Sequence, residues 1–323
     1  MVPENRSSPL GRAAKVPPQG GARGVVATFA AGNALSILLR TAGHTRSQIK
    51  QSGGPHFHSS RTAVLDPRAA VRGVAQSHDP WWTPVTKLSP RTRDKLKTVS
   101  TATLSTALYK RGFRTQFIQN VYPLNPAAGP MVGEAYTLRY IPAREDLNPI
   151  TVFQDRAHPQ RKAVEECPPG AVFVIDSRKD ARAASAGSIL VSRLMVRGVA
   201  GVVTDGGFRD SQEIAKLAIP TYHQRPSAPT NLTVHQALDI NVPIGCGDAP
   251  VFPGDVIVGD ADGVIVVPAH LADELADEAV EMTAFEDFVA EQVLDGRSIL
   301  GLYPATEERT RADFEKWRNA KGR

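Results

Sequence analysis

Residues 186–210, AGSILVSRLMVRGVAGVVTDGGFRD, hold the key to the fold. Apolar side chains at 189, 190, 194 and 195 recur at helical spacing over 187–197, and the run from 199 to 204 is apolar enough for a strand buried on both faces. A helix followed so closely by a buried strand is a unit of the alternation that builds α/β sheets. Outward from it the alternation continues. AVFVID at 171–176 is a second buried run, and 131–140 alternates as a strand. Downstream, a short helix is expected over 211–217, strands over 240–246, 255–258 and 264–267 separated by Pro-Gly-Asp and Asp-Gly turns, and an acidic amphipathic helix over 271–293. Upstream, 88–112 reads as a long helix or a helical hairpin closed by Gly112. The class is α/β, a layered sandwich with a central curled sheet, in one domain over 87–323 with a helical tail.

The 323 residues are 41% apolar, enough for a full globular core. The net charge of +5 is uneven: residues 1–86 carry ten Lys/Arg and three Asp/Glu, leaving 28 basic and 30 acidic residues, about −2, for the body. A body of that sign has no clustered field for a phosphate backbone, so nucleic acid is disfavoured as a partner. The Arg-, Ser-, Gly- and Pro-rich residues 1–86 read as a poorly ordered basic extension, a presequence or upstream sequence translated from a wrong start. Their one apolar stretch, 25–39, is too short to span a bilayer comfortably. No membrane partner is expected, and the compartment is read as cytoplasmic, or mitochondrial if the extension is a presequence. Cys167 and Cys246 form no framework or CxxC motif and read as buried fillers. His158, His223, His235 and His270 lack ligand spacing and read as structural or surface residues. The mixed-charge segment 155–166, DRAHPQRKAVEE, reads as a solvated helix, and Asp205 either as a residue that orders a water near a cation or as a turn cap.

Chemistry concentrates in the opening quotation. A Gly-Ser pair starting a helix is expected to leave the N–H groups of residues 188–190 unsatisfied, a nest for a carboxylate. The strand ending at Thr204 and the Gly206-Gly207 turn then present Arg209 and Asp210 at a strand's C-terminal edge, where ligands collect in α/β sheets. Arg209 offers a fork of donors for a carboxylate or oxo group, and Asp210 a hard oxygen for a cation.

The stretch resembles the class II pyruvate aldolases and the regulator of ribonuclease activity A. STATLSTAL near 100, GEAYTLRY at 133–140 and CGDAPVFPGDVIVGDADGVIVVP at 246–268 share in the resemblance. The family signature is an Asp, twenty residues, then Arg-Asp; here Ser188 stands at the first position. The resemblance implies that the main chain of Gly187, Ser188, Ile189 and Leu190 binds the substrate carboxylate, that Arg209 grips the pyruvyl oxygens and that Asp210 holds Mg²⁺ or Mn²⁺. The implied activity is a metal-dependent lyase, cleaving a 4-hydroxy-2-oxo acid to pyruvate or decarboxylating oxaloacetate. The alternative is a non-catalytic regulator that binds a ribonuclease. The resemblance also implies a homotrimer or hexamer, in which Glu278, Glu281 or Glu286 of a neighbouring copy is a candidate to supply the missing acid.

Overall fold

Strand Met131–Pro142 is long enough to pair with three others, and the fold is organised around it. In the computed structural model, which describes residues 87–323, the elements in chain order are α1 (Pro90–Leu96), α2 (Thr101–Lys110), β1 (Tyr122–Pro123), β2 (Met131–Pro142), α3 (Pro159–Glu166), β3 (Val172–Asp176), β4 (Ala184–Ala186), α4 (Ser188–Val196), β5 (Gly201–Thr204), β6 (Gly207–Phe208), α5 (Ser211–Ile214), β7 (Thr221–His223), β8 (Arg225–Pro226), β9 (His235–Ile240), β10 (Ile244–Cys246), β11 (Ala249–Val251), β12 (Val256–Gly259), β13 (Val264–Val267), α6 (Ala272–Leu294) and α7 (Glu308–Lys321). The expectation of a disordered extension or presequence at 1–86 lies outside the described residues.

Along one side β2 pairs in parallel with β3; along the other it pairs antiparallel first with β12 and then with β9. The main sheet runs β1-β7-β5-β3-β2-β12-β13. Its two ends are fastened by one piece of chain. The Ile118 N–H donates to the Val264 carbonyl at 2.9 Å and the Val266 N–H to that of Gln116 at 2.8 Å, so this piece runs along β13. Four residues later, Tyr122 is in β1, paired with β7. Laid flat, the seven steps from β1 to the Gln116–Ile118 segment would span about 34 Å at about 4.8 Å per strand, whereas four residues reach at most about 14 Å. The sheet therefore curls until its ends nearly meet, as the sequence led us to expect.

Alternation across the curl explains the continuous apolar runs. Val172 and Val174 of β3 point inward to a core with Ile118, Val203, Tyr222, Cys246, Val264 and Val266. Phe173 and Ile175 point outward under α3 and α4, with Leu138, Tyr140, Val191 and Leu194. Ile265 and Val267 face outward on the far side, beneath α1, α2 and α6 with Leu104, Leu108 and Leu275. A strand with apolar layers on both sides has no polar face to show.

The segment 88–112 is not one long helix: α1 and α2 are separate helices, each packed on α6, with Ser89 and Ser100 as N-caps, and Gly112 follows at φ +92°. The strand expected over 240–246 is two strands. Asn241 turns the chain at φ +55°, ending β9 and starting a new hairpin, β10–β11. The tail beyond residue 297 packs its helix on α6 through Phe285, Phe288, Phe314 and Trp317. Cys167 and Cys246 are fully buried fillers, and no helix among the described residues is long and apolar enough to cross a membrane.

Candidate functional site

Strand β4 runs beside β6, the two ending at Ala186 and Phe208, and this pairing brings Gly187 against Arg209 and Asp210. The Arg209 N–H donates to the Ala186 carbonyl at 3.1 Å. Ser188, the first residue of α4, donates its backbone N–H to Asp210 Oδ2 at 3.2 Å and its hydroxyl to the same oxygen at 3.3 Å. Arg209 Nε lies 3.6 Å from Oδ2. A Cβ on Gly187 would meet Arg209 Cγ and Asp210 Oδ2 at 2.8 Å each, so only glycine allows this approach. Asp210 itself takes φ +55°, which an Asp side chain tolerates better than most.

The structure thus brings together every residue picked from the sequence, with one correction. The three N–H groups of residues 188–190 are not all open: Ser188 spends its own on Asp210, and Leu190 donates to the Gly187 carbonyl at 3.1 Å. Among the described residues only that of Ile189 meets no acceptor. The helix start was legible locally, but its carboxylate partner lies 22 residues away and is a product of the fold.

Arg209, Asp210, Gly187, Ile189 and Leu190 line a cavity of about 690 Å³. Arg209 and Asp210 are both part-exposed, and the Arg209 terminal nitrogens meet no acceptor among the described residues, leaving their donors to a ligand. No three His, Cys, Asp or Glu side chains gather as a ligand set among the described residues. Asp210 Oδ1 accepts no hydrogen bond among them. A lone carboxylate suits a hard cation that keeps its waters and shares substrate oxygens, since Mg²⁺ is commonly held through one or two carboxylates; it does not suit a closed all-protein cage. Glu278, Glu281 and Glu286 are engaged within their own chain, by Lys110 and Arg111, by Arg318, and by Thr103 and Tyr303 respectively.

The segment 155–166 is not a solvated helix throughout. Gln160, Ala163 and Val164 are buried, and Gln160 and Arg161 line the cavity with Phe153 and Asn231. The Gln160, Ala163, Val164 spacing was an available signal, masked by the six charged residues of the segment. Gln160 Nε2 donates to Tyr140 Oη and to the Ser185 carbonyl, both at 2.8 Å, which ties α3 to the strand leading into Gly187. Asp205 is a turn clamp: its buried carboxylate accepts from the N–H groups of Ser177, Lys179 and Gly247. Burial pushes that carboxyl up to about 6 against those three donors.

His235 lies behind the site, fully buried and stacked on Tyr140. Arg178 can only donate, so its 3.2 Å contact makes Nδ1 the acceptor; the Asp180 carbonyl at 3.0 Å can only accept, so Nε2 carries the proton. A second proton would sit on Nδ1 facing a guanidinium. Burial first, and Arg178 next, push the imidazole down to about 4 from 6.5. The unfolded chain takes that proton near pH 6.5, so His235 contributes stability above that pH and the contribution is lost as pH falls toward about 4. In urea unfolding, the wild type should lose about 3 kcal/mol more than His235→Gln between about pH 7 and pH 4. Equal losses would overturn this assignment.

A family model described as RraA-like, Aldolase/RraA, matches residues 101–266. The 4-hydroxy-4-methyl-2-oxoglutarate aldolase of Thermus thermophilus is 29% identical over 155 residues, 48% of this chain and 92% of that protein. A Halalkalibacterium halodurans protein named provisionally as the same aldolase is 36% identical over 126 residues, 39% of this chain and 60% of the relative's length. Among solved structures, Streptomyces coelicolor RraAS2, described as an unusual member of the RNase ES inhibitor RraA protein family, superposes with a TM-score of 0.56 at 28% identity, covering 65% of this chain and 98% of that one.

Proposed function

We propose, from the premise that the chain belongs to the RraA-like family, that it is a divalent-metal-dependent carbon–carbon lyase acting on a small 2-oxo acid. The observation that carries this is the meeting of Ser188 and Asp210 at 3.2 Å beside a guanidinium whose outer donors face a cavity. The substrate carboxylate is bound at the start of α4 between Gly187 and Leu190, where, of the N–H groups of residues 188–190, that of Ile189 is the open donor, and Arg209 grips the 2-oxo group. Asp210 is the residue to hold the cation, Mg²⁺ or Mn²⁺, which when bound supplies Lewis-acid polarisation of the 2-oxo group.

In retro-aldol cleavage of a 4-hydroxy-2-oxo acid, a water or a nearby carboxylate takes the C4 hydroxyl proton, and the C3–C4 bond breaks as C4 becomes a carbonyl. The bond's electrons form the C2–C3 double bond of an enolate with charge on the C2 oxygen, and a proton returned to C3 gives pyruvate. Arg209 meets the negative charge that develops on the C2 oxygen with the guanidinium donors that no protein acceptor takes among the described residues. Decarboxylation of oxaloacetate places the same charge on the same oxygen and needs no hydroxyl deprotonation. Ser188 is no base at neutral pH; donating to Asp210 Oδ2 through both groups, it positions that carboxylate. The same reading includes assembly as a homotrimer or hexamer.

Pyruvate release, coupled to lactate dehydrogenase and NADH, tests the proposal with 4-hydroxy-4-methyl-2-oxoglutarate and oxaloacetate. Turnover is expected with Mg²⁺, lost in EDTA and restored by excess Mg²⁺. Turnover indifferent to EDTA would overturn the metal requirement, and silence with both substrates would overturn the lyase in favour of a regulator.

A further inference from the structure

Asp205 stands just past β5, in the turn that leads to Arg209 and Asp210, and is 1% exposed. Its carboxylate joins that turn to two others. Oδ1 accepts from the Ser177 N–H at 2.6 Å, and Oδ2 accepts from those of Lys179 at 3.0 Å and Gly247 at 3.2 Å, in the turn after β3 and in the β10–β11 hairpin. The clamp holds a backbone that side chains resist: Arg178 and Lys179 are left-handed in succession, at φ +59° and +58°. From Asp205 to Arg209 the chain has no slack. A Cβ on Gly206 would meet Ser177 Cβ at 2.6 Å and Ser185 Oγ at 2.7 Å, and one on Gly207 would meet Ser227 Cβ at 2.6 Å. The Arg209 N–H is then fixed to the Ala186 carbonyl. A shift of the turn after β3 is therefore carried to Arg209.

We propose that Asp205 is a positioning residue: its ionised carboxylate holds the β5–β6 turn against the turn after β3, and protonation lets Arg209 and Asp210 slip relative to the start of α4. A protonated carboxyl turns one acceptor oxygen into a donor, which sets it against at least one of the three N–H groups. Around the carboxyl stand Asp176 and Lys179 from β3 and its turn, and the Cys246 thiol from β10; behind them Arg139 and Arg178 face Asp176, and Asp248 pairs with Lys179. Burial first, with Asp176 adding to it, pushes the Asp205 carboxyl up to about 6. In the unfolded chain it titrates at about 3.9, so its contribution to stability grows as pH falls through about 6 and is lost as pH rises. Activity and stability thus answer to one proton with opposite signs, which a purely structural group does not produce. The catalytic meaning rests on the lyase reading, but the displacement can be read without turnover.

Amide nitrogen–proton correlation spectra of the full chain between about pH 7.5 and pH 5 test it. In the wild type the Ser177, Lys179 and Gly247 signals should move with a common midpoint near pH 6, and those of Arg209 and Asp210 should move with them. In Asp205→Asn all five should stay still. Pyruvate release by the wild type should fall about 10- to 100-fold over that range, while Asp205→Asn, which sets an amide NH₂ against the same donors, stays at the wild type's acid level throughout. The urea midpoint of the wild type should meanwhile rise relative to that of Asp205→Asn, with His235 present in both. Clamp signals that titrate while Arg209 and Asp210 stay still would overturn the proposal and leave a local turn clamp. Clamp signals that do not titrate, site signals that move equally in Asp205→Asn, or a urea midpoint that moves the other way would also overturn it. If Asp205→Asn does not fold, the wild-type spectra alone decide. Silence in the coupled assay at every pH removes the lyase and leaves the positioning role to the spectra; an acid loss of pyruvate release that persists in Asp205→Asn removes the positioning role and leaves the lyase.

Discussion

Asp210→Ala is expected to lower kcat/KM for pyruvate release by at least about 10³-fold, a loss of the size seen when charge stabilisation in a reacting centre is removed. The fold should survive. Asp210 is part-exposed, and its side-chain partners are only Ser188 and Arg209 among the described residues. Its left-handed backbone makes alanine cost about 1 kcal/mol in stability, too little to unfold a domain. Asp210→Asn is the sharper variant: it tolerates the same backbone and keeps an oxygen for Ser188, but removes the negative charge. Steady-state kinetics over a Mg²⁺ titration should show both variants inactive across the range. Activity of Asp210→Asn near wild type would mean that the carboxylate positions Arg209 and holds no cation.

The second large effect is expected from a single methyl group. Gly187→Ala should reduce kcat/KM by about 10²-fold, since displacements of about 1 Å at a reacting centre cost that much. Gly187 has φ −124° and ψ 178°, ordinary for any residue, so alanine adds no backbone strain. Its Cβ must instead push aside Arg209 Cγ at 2.8 Å, Arg209 Cδ at 3.1 Å and Asp210 Oδ2 at 2.8 Å. Both side chains are part-exposed and can give way outward, so the melting temperature should move by only a few degrees. Wild-type kinetics in Gly187→Ala would sink the claim that this close approach sets the site.

What the sequence disclosed about this site followed the range of the interactions involved. The helix from Ser188 and the strand ending at Thr204 are written in local periodicity, so Gly187, Ser188, Arg209 and Asp210 could be placed together before the fold was known. The hydrogen bond that closes the Ser188 N–H is not local, and neither is the turning of Gln160 and Arg161 into the cavity, which depends on β4 passing beneath α3. A run of alternating charges looks like a wet surface until a neighbouring strand dries one side of it. Strand β9, HQALDI, shows the same limit: its burial alternates only partly and its pairing with β2 shifts register between Arg139 and Tyr140, so neither propensity nor periodicity marked it. The split at Asn241 depends on one left-handed residue that Asn permits and no pattern announces.

The piece of chain that runs from Gln116 along β13 and into β1 has a kinetic consequence. Because the same few residues cover both terminal ladders, neither end of the sheet offers a long bare row of amides to another molecule, which removes a template for edge-to-edge growth of aggregates. It also couples the two ends in time. Amide protons of β7 and of β13, far apart along the sheet path, should exchange with solvent through one shared opening event, the release of that clasp, and so report a single opening free energy.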